Sequence, residues 1–137
     1  MNFKQTLTGR INQLVEKTKS DARVLAVYLF GSILNENFNS QSDADVCLLL
    51  APKSPRLPYH PDEMSKIKLS YLKDFELDIQ IFQQLPIYIR KRVLKEGRML
   101  YCQNEDKLYE LATQHIREYA DFEHIYKEFL ENIQHGG

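Results

Sequence analysis

The sequence predicts an α+β fold: a small mixed sheet with helices packed on one face, followed by a long C-terminal helix. Three observations lead there. Two apolar, strand-like runs, Val24–Phe30 and Val46–Leu50, have the length of buried strands. A third run, Phe75–Phe82, alternates with period two. It sets Phe75, Leu77, Ile79 and Ile81 on one face and Glu76, Asp78 and Gln80 on the other. From Glu105 to Gln134 neither proline nor glycine interrupts an apolar and aromatic stripe at helical spacing.

At 137 residues the chain has the size of one domain able to bury its own core. A hydrophobic fraction of 43% and a charged fraction of 27% are ordinary globular values, so neither disorder nor a fibrous class is indicated. The formal net charge of -1 provides no overall basic field, so direct nucleic-acid binding is not expected. Cys47 and Cys102 do not form a metal-ligand pair by spacing, and two thiols in such a chain suit a reducing compartment. No stretch approaches the roughly 20 apolar residues of a membrane span, and Met1–Gln5 lacks the apolar core of a signal peptide. A cytoplasmic location is expected.

In chain order, Leu7, Ile11, Leu14 and Val15 give residues 4–19 one apolar stripe, the mark of a surface helix. Ser20-Asp21 ends it and leads into the first strand. Gly31-Ser32 follows that strand, with Ser32 a suitable N-cap for one or two helical turns over Ile33–Phe38. Asn39–Ser42 is a polar turn into Asp43-Ala44-Asp45 and the second strand. Pro52, Pro55, Pro58 and Pro61 then recur every third residue, which suits an extended polyproline II connection over residues 51–61. A connection of this length is read either as a solvated loop or as a flap over a ligand.

Residues 62–71 read as a helix. Pro86 is expected at the first position of another, running to Glu96 and stopped by Gly97 as the residue after its C-cap. Arg98–Tyr101 is then a short edge strand. Thirty residues of terminal helix span roughly 45 Å, more than the width of a domain of about 100 residues. Part of its stripe, which runs through Leu108, Leu111, His115, Tyr119, Phe122, Tyr126, Phe129 and Ile133, is therefore expected to project, where the helix's tyrosines and phenylalanines favour a protein partner, and part to fold back on the N-terminal helix.

The chemistry concentrates at the strand ends. Asp43 and Asp45 stand at i and i+2, on one face at the mouth of a buried strand. Two carboxylates held there repel unless a cation lies between them. Asp78, on the polar face of another strand, adds a third carboxylate if the two strands are neighbours, about 4.8 Å apart. Oxygen ligands of this kind suit Mg²⁺, bound through carboxylates and substrate phosphates. Two such ions clamp the attacking and leaving oxygens of a displacement at phosphorus. The Gly31-Ser32 turn, opening a helix, suits phosphate. The four histidines form no ligand pattern, and a Walker-type loop is absent from the sequence.

The spacing Gly31-Ser32, ten residues, Asp43-x-Asp45, with Asp78 on its own strand, resembles the signature of the polymerase-β-like nucleotidyltransferases in minimal form. More specifically, the chain resembles the minimal nucleotidyltransferase antitoxins of the MntA type, which pair with HEPN-domain RNase toxins. The resemblance covers about residues 1–103, as a nucleotidyltransferase domain. Residues 104–135 are left as a helix packing on the domain and on the partner.

That family implies two Mg²⁺ ions held by Asp43, Asp45 and Asp78, and ATP phosphates held by Gly31 and Ser32. It further implies transfer of AMP from ATP to a tyrosine of the HEPN toxin, silencing its RNase activity. One departure stands out: relatives commonly carry arginine and glycine after the Gly-Ser pair, whereas this chain has Ile33–Asn37. Either neutralisation of the triphosphate then falls to Lys53, Arg56 or the Arg90–Arg92 run, or nucleotide affinity is low. Two other readings compete. One is an antitoxin that blocks its partner by binding alone through the C-terminal helix. The other is nucleotide transfer to a small molecule such as an aminoglycoside, against which the shortness of the chain counts.

Overall fold

The computed structural model describes residues 3–31, 45–52 and 59–134. In order it comprises α1 (Phe3–Lys19), β1 (Val24–Phe30), β2 (Asp45–Leu50), α2 (Pro61–Phe75), β3 (Asp78–Ile81), α3 (Ile87–Glu96), β4 (Arg98–Cys102) and α4 (Glu105–Gln134). The four strands form one mixed sheet in the order β3-β2-β1-β4. β1 runs antiparallel to both β2 and β4, whereas β2 and β3 are parallel. Among the described residues no helix is long and apolar enough to cross a membrane.

Helices cover both faces of the sheet rather than one. On one face Leu14 of α1 and Ile67, Tyr71 and Phe75 of α2 pack on Val27, Leu29, Val46, Leu48, Ile79 and Ile81. On the other, Val93 of α3, with Ile89 and Leu94 beside it, packs on Leu25, Tyr28, Cys47 and Leu49, and Leu108 and Leu111 of α4 join this cluster. The reason lies in the central strands. Both are apolar at every position but Asp45, so each exposes greasy side chains in both directions, and both must be covered.

α1 and α2 are tied by Lys17, whose Nζ donates to Asp74 at 2.8 Å and sits 4.3 Å over the Tyr71 ring. Beneath them the Tyr71 hydroxyl donates to Asp21 at 2.8 Å, and the Arg23 guanidinium grips both oxygens of the same carboxylate at 2.8 Å. The Arg23 hydrogen bonds outweigh burial and lower Asp21 to a pKa of about 2, while burial followed by the bond to Asp21 pushes the Tyr71 phenol up. Gln83 uses both ends of its amide on the last residue of β2: Nε2 donates to the Leu50 carbonyl at 2.8 Å, and Oε1 accepts from the Leu50 N–H at 3.2 Å.

Several local expectations shift. Pro61 belongs to α2, at its first turn, and His60 is the N-cap, its side chain accepting from the Asp62 N–H. α2 continues to Phe75 and is closed by Glu76 in the left-handed region at φ 47°. The alternation of burial from Phe75 to Ile81 therefore comes from a helix end, a turn and only four residues of strand. Pro86 is the N-cap of α3 and not its first residue. Gly97 is extended at φ −69°, not left-handed. Its lack of a side chain serves a close approach, since a Cβ there would press on the Val93 carbonyl.

Among the described residues α4 lies chiefly against α3 and β1, and its Leu108 and Leu111 join the cluster on the face opposite α1 rather than packing back along the N-terminal helix. Its buried section ends near Tyr119; beyond that Phe122, Ile125, Tyr126 and Phe129 are exposed. His115 anchors the packed section. It is buried with its ring 5.7 Å from that of Phe82, and its Nε2 has no hydrogen-bond partner among the described residues. Burial, then the neighbouring Arg90 charge, holds its pKa below the ordinary value.

A base whose folded pKa is depressed favours folding above its unfolded pKa, about 6.5, and loses that contribution as pH falls through the folded value. Thermal unfolding should therefore drop between pH 7.5 and 5, and His115→Gln should flatten that part of the profile. An unchanged slope in the variant would show that His115 does not set it.

Candidate active site

The candidate site forms where three strand ends meet. β1 ends at Phe30, which pairs with Asp45. Asp45 opens β2, Asp78 opens β3, and the two are in direct register across the parallel pair. Adjacent strands lie about 4.8 Å apart, so the two side chains leave neighbouring backbones on the same face. The next residues, Val46 and Ile79, point to the α1/α2 core, which directs Asp45 and Asp78 to the opposite face. Asp45 is half-buried and Asp78 exposed, so this pair lies where the core gives way to solvent.

Gly31 completes the frame. It takes φ 86°, a conformation open mainly to glycine, and a Cβ built on it would collide with the Asp45 carboxylate. The carboxylate therefore lies directly against the Gly31 backbone, in space that any other residue would fill. Gly31→Ala should lose about 2 kcal/mol of stability from the backbone conformation alone and displace Asp45. Urea unfolding measures the first effect; wild-type stability in the variant would mean that the contact is loose.

Asp78 Oδ1 accepts a hydrogen bond from Gln80 Nε2 at 3.0 Å. Gln80 Oε1 in turn accepts from Lys68 Nζ of α2 at 3.2 Å. Sequence reasoning placed Gln80 only on a polar strand face. It had no signal for Lys68, twelve residues earlier on a helix of the other layer.

Of the five residues expected at the site, the structure brings together Gly31, Asp45 and Asp78. Ser32 and Asp43 lie outside the described residues, as do Lys53, Arg56 and the short helix expected over Ile33–Phe38. Two of the three basic residues on α3 are engaged locally, whereas the buried Nε of Arg90 has no hydrogen-bond partner among the described residues. Lys91 sits 4.1 Å over the Tyr119 ring, Arg92 pairs with Glu96 at 3.6 Å, and Arg90 is beside His115. Cys47, buried next to this site in β2, has its thiol pushed up to about 12 by burial and is chemically inert at neutral pH.

Asp45 and Asp78, at the mouths of neighbouring strands beside the glycine turn, are hard oxygen donors of the type that Mg²⁺ binds, and among the described residues no third His, Cys, Asp or Glu joins them in a metal-sized cluster. Residues 12–106, more than half of the chain, match the polymerase beta nucleotidyltransferase family. The chain belongs to that family. Gly31, Asp45 and Asp78 all fall within the matched region.

Among curated proteins, the chain is 26% identical over 80 residues to a Methanocaldococcus jannaschii protein provisionally named a protein adenylyltransferase. That alignment covers 58% of this chain and 57% of the relative, so the match spans just over half of the relative's length. Among solved structures, a chain of a toxin-antitoxin crystallised with AMP-PNP superimposes with a TM-score of 0.62 at 16% identity, covering 92% of this chain and 97% of that one. A chain from the complex of a tri-AMPylated Shewanella oneidensis HEPN toxin with its MNT antitoxin gives 0.59 at 13% identity, covering 97% and 99%. At these identities the likeness is one of fold, and it extends over α4 as well as the sheet.

Proposed function

We propose that this nucleotidyltransferase is a Mg²⁺-dependent protein adenylyltransferase. It moves AMP from ATP to a tyrosine of a cognate HEPN-domain RNase toxin and so acts as the antitoxin, in the cytoplasm. The observation that carries the reading is the in-register Asp45/Asp78 pair backed by Gly31, in a chain of this family. The adenylyltransferase name of one relative and the nucleotide-bound and AMPylated complexes among the fold neighbours supply the substrate class and the partner.

The residues present suit the metal. Asp45 and Asp78 offer hard oxygen donors on adjacent strands, and the glycine leaves room beside them. Asp43, Asp45 and Asp78 would hold two Mg²⁺, which supply positive charge to the phosphates and acidify the attacking hydroxyl. In the reaction the tyrosine oxygen forms a bond to the α-phosphorus as the bond to the β-phosphate oxygen breaks. Pyrophosphate leaves, and the phenolic proton passes to a base. A phenol of pKa near 10 is mostly protonated at neutral pH, and Asp78, the most exposed carboxylate of the described pair, is assigned to help remove that proton. Gly31 and Ser32 are assigned to the phosphates. Residues 1–103 form the catalytic unit, and residues 104–135 add the surface on which the toxin rests.

The test is to mix the protein with ATP labelled on the α-phosphate, Mg²⁺ and the HEPN protein encoded beside it, then follow label on that protein. Label on a toxin tyrosine is expected. No transfer, or transfer without Mg²⁺, overturns the reading. The exposed aromatic residues of α4 favour a second reading, inhibition by binding alone. Full neutralisation by an Asp45→Asn, Asp78→Asn protein would establish that one instead.

A further inference from the structure

We propose that Gln80 and Lys68 are positioning residues for Asp78, acting as a two-step clamp reaching from α2 round the edge of the sheet. The proposal rests on the reading of Asp78 as a site carboxylate and assigns roles to two residues that reading does not use.

The chemistry of the three groups fixes their order. A lysine ammonium has three donors and no acceptor, so Lys68 Nζ can meet only the oxygen end of the Gln80 amide, which it does at 3.2 Å. With the oxygen engaged, the amide nitrogen must face the other way, toward Asp78, and it donates to Oδ1 at 3.0 Å. An ionised carboxylate only accepts, so the reverse amide orientation would set oxygen against oxygen. Lys68 thus selects the orientation of Gln80 in which it holds Asp78.

Placement supports this. Asp78 and Gln80 are two residues apart on one face of β3, which is an edge strand only four residues long. Asp78 is exposed, and its neighbour in register is another carboxylate. Left alone, such a side chain would sample several rotamers and swing away from Asp45. A hydrogen bond to one oxygen fixes the carboxylate plane and leaves Oδ2 for a cation or a proton. The same logic governs metal sites generally, where partners behind the ligands orient them, and removing one weakens binding about 10- to 100-fold. Because Lys68 and Gln80 are only half-buried, their removal is not expected to unfold the protein.

The test compares Mn²⁺ affinity, measured by electron paramagnetic resonance without nucleotide, with kcat and KM for ATP. The proteins are wild type, Gln80→Leu, Lys68→Met, Lys68→Arg, the Gln80→Leu, Lys68→Met double variant, and Asp78→Asn. Gln80→Leu should weaken Mn²⁺ binding about tenfold and lower kcat, with KM for ATP less affected. Lys68→Met should show a smaller loss in the same direction, and Lys68→Arg should restore it. Because Lys68 acts through Gln80, the double variant should be no worse than Gln80→Leu alone.

Wild-type Mn²⁺ affinity in Gln80→Leu, or full additivity in the double variant, overturns the proposal. Asp78→Asn separates the two levels. If it loses Mn²⁺ while Gln80→Leu does not, the clamp fails and the role of Asp78 stands. If Asp78→Asn is itself silent, both fall together.

Discussion

Asp45→Asn should reduce transfer of labelled AMP by about 1,000-fold, a loss typical of removing one electrostatic stabiliser from a reacting centre. The substitution keeps shape and hydrogen-bonding capacity but removes the charge. It leaves β2 in place, because the side chain occupies the first position of the strand, at the solvent end of a run that is otherwise buried. Thermal unfolding should therefore stay within a few degrees of wild type, or rise, since Asp45 no longer faces Asp78 as a like charge across the parallel pair. The combination of a collapsed rate and an unharmed fold is diagnostic. A variant retaining a tenth or more of the activity would show that Asp45 is not part of the reacting centre.

The second large effect concerns the partner. Tyr126 and Phe129 are 52% and 57% exposed on the distal half of α4, with Phe122 and Ile125 beside them. Aromatic side chains left in water at this density, on one helix, are the residues that dominate protein interfaces when buried. Tyr126→Asp together with Phe129→Asp should weaken binding to the HEPN protein proposed as its partner by at least 100-fold, about 2.7 kcal/mol. The isolated protein should melt as wild type does, since neither ring supports its core. Titration calorimetry with the partner and a melting curve without it decide the matter. Unchanged affinity would move the interface elsewhere on the molecule.

Much of this architecture was legible because the signals were physical and local. Val24–Phe30 is strand β1 to the residue, and Glu105–Gln134 is α4 to the residue, since an uninterrupted periodic stripe fixes a long helix well. What failed depended on tertiary context. Phe75 fits a period-two pattern, yet it closes α2, because one left-handed residue at Glu76 lets helix and strand share a single alternating burial pattern. The second helical layer could have been read from Leu25, Tyr28, Cys47 and Leu49, apolar residues on the face assumed to be open.

At the site, spacing alone suggested that Gly31 and Asp45 work together, and the structure presses them into contact. That Asp78 would stand beside Asp45 depended on strand order, which a lone sequence leaves open, and the parallel register supplies it. The Lys68–Gln80 link joins two layers and leaves no periodic trace. Ser32 and Asp43 lie outside the described residues, so their part in the site stays with the proposal.

The position of Asp78 on β3, in register with Asp45 on β2, ties occupancy to mechanical integrity. Among the described residues β3 is the shortest strand, it lies at the sheet's edge, and only β2 pairs with it. It begins with the one residue that repels its in-register neighbour. A ligand bridging those two residues would act as a rivet through the weakest seam of the sheet. Loading and stiffening become one event, so the Ile79 and Ile81 amides would exchange more slowly with solvent as the site fills.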